Sequence, residues 1–351
     1  GQEIRLFRAA VSLAFVKEDV MRNTKRLFMM MFCGMLMAGF AASVFARDNI
    51  RVGYPAPAGA FLPFWTANDR GFFKAHGLSV ELIATGSSTL AIASMMAGDL
   101  DILAGGGTSG VAAQIKGYQD MAVFGNVIDK FVFSVHTHPS ITNAAQLRGK
   151  KMGVTRFGGT LDFAARRYLR KSGLEPVKDV TMVQIGRMPD IVSALAAGSV
   201  EAGTIGVPQN FLAKRQGFRE LADLTQMEDR YAIAALVAKR SFLAQNHAKA
   251  VSFIKALVEA IRFLRTNPKD GMEIMRRYTK IDDPEILKPA YDLHMKLFPR
   301  APEVFPKDLE LILEEVSAGL PEARRANPAQ LIDGRIVREV IDSGFVNEVY
   351  R

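Results

Sequence analysis

The sequence predicts an α/β protein built from two similar lobes and closed by a helical tail. Three observations predict it. From residue 48 to about 238, short apolar runs alternate with stretches of helical period. That cadence repeats at an offset of 100 residues. Beyond Ser241 the apolar runs stop and a 3.6-residue period takes over. Alternation of this kind argues for βα units and mainly parallel strands.

In chain order the predicted strands are 50–54, 79–84, 100–104, 121–127, 131–137, 152–155, 180–185, 200–205 and 231–238, with helices between most of them. In the tail, Ala250, Val251, Ile254, Leu257, Val258, Ile261 and Leu264 make the clearest helix face. The repeat sets Val80-Glu81-Leu82-Ile83 against Val180-Thr181-Met182-Val183, and Gly86 against Gly186. Met95-Met96-Ala97-Gly98-Asp99-Leu100-Asp101 falls on Leu195-Ala196-Ala197-Gly198-Ser199-Val200-Glu201, and Val52-Gly53 on Gly153-Val154 with one place of slack. Each copy reads strand, glycine loop, helix, glycine C-cap, strand. Residues 48–128 with 239–351 are expected to form lobe 1, and 129–238 lobe 2. Two crossings, near 126–131 and 238–241, would serve as a hinge, with strand C-termini and helix N-termini of both lobes facing a shared cleft.

Composition narrows the function. The 351 residues are 49% hydrophobic and 23% charged, which excludes disorder and low-complexity repeats. A formal charge of +9 invites a nucleic-acid reading. However, Arg5, Arg8, Lys17, Arg22, Lys25 and Arg26 lie in the first 46 residues, and the remainder has no basic run. No nucleic-acid partner is expected. Residues 27–46 carry no charge, follow Arg22, Lys25 and Arg26, and end in Ala41-Ala42-Ser43-Val44-Phe45-Ala46. A basic start, an apolar centre and a small-residue exit describe a secretory signal over 21–46, cleaved after Ala46. Residues 1–20 then read as an upstream extension. A retained membrane anchor is the alternative. The sole cysteine, Cys33, sits in the apolar centre, so a mature chain would have no thiol nucleophile, disulfide or cysteine-based metal site.

Three loops combine glycine with a hydroxyl just before a helix: Gly86-Ser87-Ser88-Thr89, Gly105-Gly106-Gly107-Thr108-Ser109-Gly110 and Gly158-Gly159-Thr160. Free N–H groups and the positive end of the helix dipole make each start a candidate anion site, although ordinary N-capping explains any one of them alone. Arg156 and Arg187, after strands of the second lobe, could pair with an anionic group, and Arg156 would complete the clamp. Phe61 and Phe157, beside glycines, are candidate apolar walls. Asp190 reads first as a helix-start carboxylate. The five histidines form no metal-binding spacing; His136 and His138 share a strand face but lack a third ligand. No nucleotide loop or nucleophile elbow occurs, so neither a cofactor nor a metal is expected.

Gly71-Phe72-Phe73-Lys74-Ala75-His76-Gly77-Leu78-Ser79-Val80-Glu81 resembles the passage from first helix to second strand in solute-binding proteins of ABC importers, of the nitrate, taurine and aliphatic-sulfonate type. Leu147-Arg148-Gly149-Lys150-Lys151-Met152-Gly153-Val154 and the segment from Asp190 through Val200-Glu201-Ala202-Gly203 resemble the same family. The resemblance runs from about Ile50 to Gly217. It implies the bilobal type II periplasmic-binding-protein fold and a monomeric periplasmic receptor. Such a receptor would close on a small organic solute, anionic in character, and deliver it to an inner-membrane permease. It also implies ligand loops at Ala58, Gly59 and Phe61; at Gly86, Ser87, Ser88 and Thr89; at Gly107, Thr108 and Ser109; at Arg156, Phe157, Gly158, Gly159 and Thr160; and at Gly206 and Pro208. Many relatives carry an aromatic-acidic pair before that last proline, where this chain has Gly206-Val207, which leaves room for a bulkier ligand than nitrate or a small sulfonate. The fold also resembles enzymes that make a thiamine pyrimidine precursor or cleave a sulfinate. Both depend on reactive cysteine or histidine constellations, so binding without turnover is expected.

Overall fold

The computed structural model describes residues 49–351. The expected extension 1–20, the leader 21–46 and its cleavage point after Ala46 lie outside the described residues. Among the described residues ten strands occur: β1 (Asn49–Tyr54), β2 (Ser79–Ala84), β3 (Ile102–Gly105), β4 (Met121–Asn126), β5 (Phe133–Thr137), β6 (Lys151–Val154), β7 (Thr181–Gln184), β8 (Ala202–Gly206), β9 (Arg219–Asp223) and β10 (Ala235–Lys239). They make two five-stranded sheets with the orders β2-β1-β3-β10-β4 and β7-β6-β8-β5-β9. In each sheet three strands run parallel, and an antiparallel strand sits between the third and the edge. That antiparallel strand is always the one the chain forms just after crossing from the other sheet.

The repeat read from the sequence is present as backbone register. Val52 pairs with Leu82 and Ile102 in the first sheet, and Met152 pairs with Met182 and Ala202 in the second. Gly53 pairs with Leu103 as Gly153 does with Gly203, so the one-residue slack disappears. A Cβ on Gly53 would lie 2.5 Å from Leu100, and one on Gly153 would meet Val200 at 3.4 Å. Both places are closely packed, Gly53 more tightly than Gly153, whose nearest neighbour is Ile185 at 3.1 Å. The helices Ser88–Ala97 and Met188–Ala196 end alike. Gly98 and Gly198 adopt φ of +85° and +67°, and the next N–H groups, of Asp99 and Ser199, bond Ser94 O and Ala194 O at 2.8 and 2.9 Å.

A carboxylate closes each copy. Asp101 Oδ2 accepts the Arg51 N–H at 2.8 Å and also pairs with the Arg51 guanidinium. At the equivalent place Glu201 Oε2 accepts the Lys151 N–H at 2.9 Å. Each acid satisfies a donor at or near the start of a central strand, where no ladder partner remains.

Two departures from the sequence reading concern the crossings. Residues 131–137 and 231–238 are buried apolar runs and were expected to be strands throughout, yet pairing begins only at Phe133 and at Ala235. The preceding residues pass between lobes side by side: Tyr231 N bonds Asp129 O, Ile233 N bonds Ile128 O, and Val127 N bonds Ala234 O, at 2.9 to 3.1 Å. Because β10 pairs with β3 and β4, residues 235–238 belong to the first sheet and the return crossing precedes them, not 238–241. Strand β9 carries no apolar run. It is an edge strand bonded only to β5, and its sequence, Arg-Glu-Leu-Ala-Asp, blunts that edge with charge.

After β10 the described chain is helical. The helix His247–Thr266 lies on Leu62–Asp69 and Phe72–Ala75 through Phe253, whose ring is 5.2 Å from Phe73 and 6.4 Å from Phe64. Ala250, Ile254, Leu257, Val258, Ile261 and Leu264 are buried as their period predicts. The helix Lys307–Val316 packs on Gly107–Ile115 of the first lobe. No helix among the described residues is long and apolar enough to cross a membrane.

The carboxylate pairs yield a test. Asp101→Ala should cost about 2 kcal/mol in urea unfolding, the usual worth of a bond to a charged group, and the more exposed Glu201→Ala about 1 kcal/mol. Equal stability of Asp101→Ala and the parent would contradict the role given to this residue.

Candidate functional site

Three helices begin at one place between the lobes. Ser87 caps Ser88–Ala97, its Oγ accepting Leu90 N–H at 3.2 Å. Gly106 caps Gly107–Ile115, and its own N–H is given to Ser88 Oγ at 3.0 Å. From the opposite lobe comes Thr160–Lys171, capped by Gly159. Each is long enough for its N-terminal N–H groups to carry a partial positive charge.

The two lobes touch here. A Cβ on Gly106 would sit 1.8 Å from Thr160 Oγ1, so only glycine allows these helix starts to meet. Thr160 Oγ1 is buried and has no hydrogen-bond partner. Around this contact the lobes are stitched together. Thr89 Oγ1 donates to Phe157 O at 3.4 Å, Ser109 Oγ to Gly158 O at 3.1 Å, Gly59 N to Val207 O at 3.0 Å, and Gln209 Nε2 to Pro57 O at 2.9 Å. The cavity enclosed is about 50 Å³. Pockets that bury a drug-sized organic ligand run to roughly 300 Å³ or more, so this cavity is much smaller than such a pocket.

Of the residues expected at the ligand, Ala58, Phe61, Gly86, Ser87, Ser88, Thr160 and Gly206 line this cavity. Gly59, Thr89, Ser109, Phe157 and Gly158 instead bridge the lobes around it. Gly107 and Thr108 face the return crossing: Gly107 N bonds Ala232 O at 3.0 Å, and the Thr108 hydroxyl bonds that of Tyr231. Gly159 and Pro208 serve as helix caps. The arginine expectation is not met in this arrangement. Arg156 is exposed and does not line the cavity. Arg187 is tied to Asp190 through two bonds of 2.9 Å and holds that helix-start carboxyl below its ordinary pKa. The exposed Phe157 ring lies under the Arg166 guanidinium at 5.7 Å.

Ala60 and Val207, inside the expected loops 58–62 and 205–208, also line it; the walls missed from the sequence are Pro55, Ala56, Thr155, Leu161, Met188, and the crossing residues Val132, Phe133 and Ile233. Gly106 was in view as part of a glycine run, but its contact with Thr160 was not. No charged side chain lines the cavity. Its polar character comes from hydroxyls and helix starts, and the rest is apolar wall. Roomier crevices of about 530, 750 and 510 Å³ open on the surface beside the tail. Charged side chains line all three, in contrast to the cavity between the lobes, and are largely paired with one another.

The buried histidines are structural. His136 Nε2 meets Ser134 Oγ at 3.0 Å, and His138 is exposed and bonded to Ser140. His294 Nδ1 meets Ala290 O at 2.7 Å, and its ring fills the space where a Cβ of Gly59 would be. Burial lowers both His136 and His294 to about 4. No group of three metal-binding side chains occurs among the described residues.

A family model described as "NMT1/THI5 like" matches residues 59–271. Among curated proteins, the chain is 24% identical over 295 residues to YtlA of Bacillus subtilis, named as a binding protein, covering 80% of this chain and 86% of that one. Among solved structures it is similar to the alkanesulfonate-binding protein SsuA of Xanthomonas axonopodis pv. citri bound to MOPS. There the TM-score is 0.67 and the identity 17%, over 82% of this chain and 97% of that one. The periplasmic nitrate-binding protein NrtA of Synechocystis PCC 6803 gives a TM-score of 0.69 at 17% identity, over 84% and 89%. The desulfurization enzyme DSZB shares the fold too, at 0.61 and 17% over 85% and 99%. The fold is therefore that of the periplasmic binding proteins.

The two histidines set a pH dependence. Their folded pKa near 4 lies below the unfolded value near 6.5, so the unfolded chain takes up protons first as pH falls. Stability present above pH ~6.5 should be lost progressively between there and pH ~4, at up to about 1.4 kcal/mol per pH unit for each histidine. His136→Asn should make the fall in urea midpoint shallower, and an unchanged slope would contradict the assignment.

Proposed function

This chain belongs to the NMT1/THI5-like family, and from that premise we propose that it is the solute-binding receptor of an ABC importer. It would work in the periplasm as a monomer, exported by the leader at 21–46, and hand its cargo to an inner-membrane permease. The binding-protein names of its relatives and the fold shared with SsuA and NrtA support this reading. One observation carries it: helix starts from both lobes converge on a single cavity that the lobes close between them.

The division of labour follows from the sheets. Lobe 1 comprises the residues of β1 to β4 together with β10 and the tail, and lobe 2 those of β5 to β9. The crossings, paired at 127–129 and 231–234, form the bend. A solute settles first on the opened first lobe, where the starts of Ser88–Ala97 and Gly107–Ile115 hold its polar end. Closure brings the start of Thr160–Lys171 onto the same group, with the Thr160 hydroxyl supplying a further bond. Three helix N-termini favour an anionic or strongly electron-rich end. Phe61, Phe133, Leu161 and Met188 favour an apolar body behind it. A ligand shifts the lobes toward closure by as much as it prefers the closed form, so contact with both lobes is the mechanism itself.

The lining of this cavity suits binding without turnover. No Cys, His, Asp, Glu, Lys or Arg lines it, leaving hydroxyls without a base. The likeness to DSZB is one of architecture.

A thermal-shift screen of organic acids, sulfonates, amino acids and pyrimidines should yield a solute that raises Tm, worth about 2.7 kcal/mol at 100 times Kd. With that solute, Gly106→Ala should weaken binding more than tenfold by calorimetry, because the new methyl group blocks closure. The Tm of the free protein should hardly move, since φ −48° suits alanine. Binding within twofold of the parent would remove the Gly106–Thr160 contact from the mechanism.

A further inference from the structure

Outside the cavity the lobes meet a second time, through charge. The helix Thr160–Lys171 of the second lobe presents Arg167 and Arg170 to the tail helix Lys307–Val316, which is packed on the first lobe. Arg170 is paired with Glu315, and Arg167 lies 3.5 Å from Glu314 and 3.8 Å from Glu315. At a separate place Arg215, at the end of the second-lobe helix Gln209–Arg215, is paired with Asp283 of the tail. Arg230, just before the return crossing, meets Asp308 of the same tail helix at 2.7 Å. In every one of these pairs the anion lies on the tail and the cation on the facing side.

We propose that these pairs are an ionic clasp that sets how far the lobes stand apart when no cargo is bound. Three features separate them from ordinary surface pairs. The Glu315 side chain is only 7% exposed and that of Arg167 only 16%, so both charges have given up most of their water. A buried charge that loses its partner is costly to leave in place, and parting the lobes is the way to rehydrate it. Arg167 is also fixed from below: its guanidinium meets Asp229 at 3.2 Å, and Lys171 meets the same carboxylate at 2.7 Å. Asp229 lies just before the return crossing, so the cationic face is held in register with the bend itself. Finally, the signs are segregated, cations on the facing side and anions on the tail, so every pair pulls in the closing direction.

The clasp acts on the free protein and needs no knowledge of the solute; it rests on the receptor reading only in that the lobes must be able to part. Loss of ligand response would count against that reading and leave the clasp standing. The experiment is small-angle scattering of the ligand-free protein at about 20 mM and about 1 M NaCl, where screening shortens to about 3 Å. The radius of gyration should rise with salt. Arg170→Glu should already show the larger radius at low salt, and the exchange Arg170→Glu with Glu315→Arg should bring it back. Arg148→Glu, which breaks the Arg148–Asp179 pair inside lobe 2, should leave the radius unchanged, with circular dichroism confirming that each variant is folded. An Arg170→Glu radius equal to the parent at low salt, or a charge exchange that leaves the radius enlarged, overturns the clasp.

Discussion

The structure turns on how close two helix starts from opposite lobes can come. Gly106 and Thr160 meet where any side chain at position 106 would collide with the threonine hydroxyl. Everything else in the site follows from that approach. The hydroxyl is carried out of water with no partner in its own lobe. The dipoles of three helices point at one spot, and backbone carbonyls of each lobe are reached by donors of the other. A buried hydroxyl without a partner is a cost of the order of 1 to 3 kcal/mol, and a solute that bonds to it recovers that cost only in the closed form. Under the proposed function, closure and recognition become one event.

The scaffold that aims these helices is one design used twice. Central strands keep the same partners at an offset of 100 residues, the same glycine-capped helix precedes the third strand, and the same acidic residue bonds a backbone N–H at or near the start of the first. Such duplication places equivalent loops at equivalent ends of both sheets. Facing the two copies toward each other then turns a set of ordinary N-caps into a two-sided grip. The antiparallel fourth strand in each sheet is the mark of the crossings, since the chain must enter each lobe from the other.

Much of this was legible in the sequence, and the failures have physical causes. The repeat could be read because strand, cap and acid are local demands on local residues. The ends of 131–137 and 231–238 were misread because a segment passing between two lobes is as buried and apolar as a central strand, and burial is what periodicity reports. β9 was invisible because an edge strand has little apolar face to show. The three helix starts were identified from glycine and hydroxyl alone. Arg156 stands in solvent and Arg187 on Asp190 because a planar cation takes the nearest carboxylate or the solvent, and sequence distance does not say which; Asp190 is three residues away. The Gly106–Thr160 contact joins separate lobes, and no local pattern announces it.

A crystal structure of the complex with the solute found by screening tests the central claim most directly. The account predicts closed lobes with the polar end of the solute among the starts of Ser88–Ala97, Gly107–Ile115 and Thr160–Lys171, within bonding distance of Thr160 Oγ1. Solute seated in a surface crevice beside the tail, or held by one lobe while the other stands clear, would contradict it.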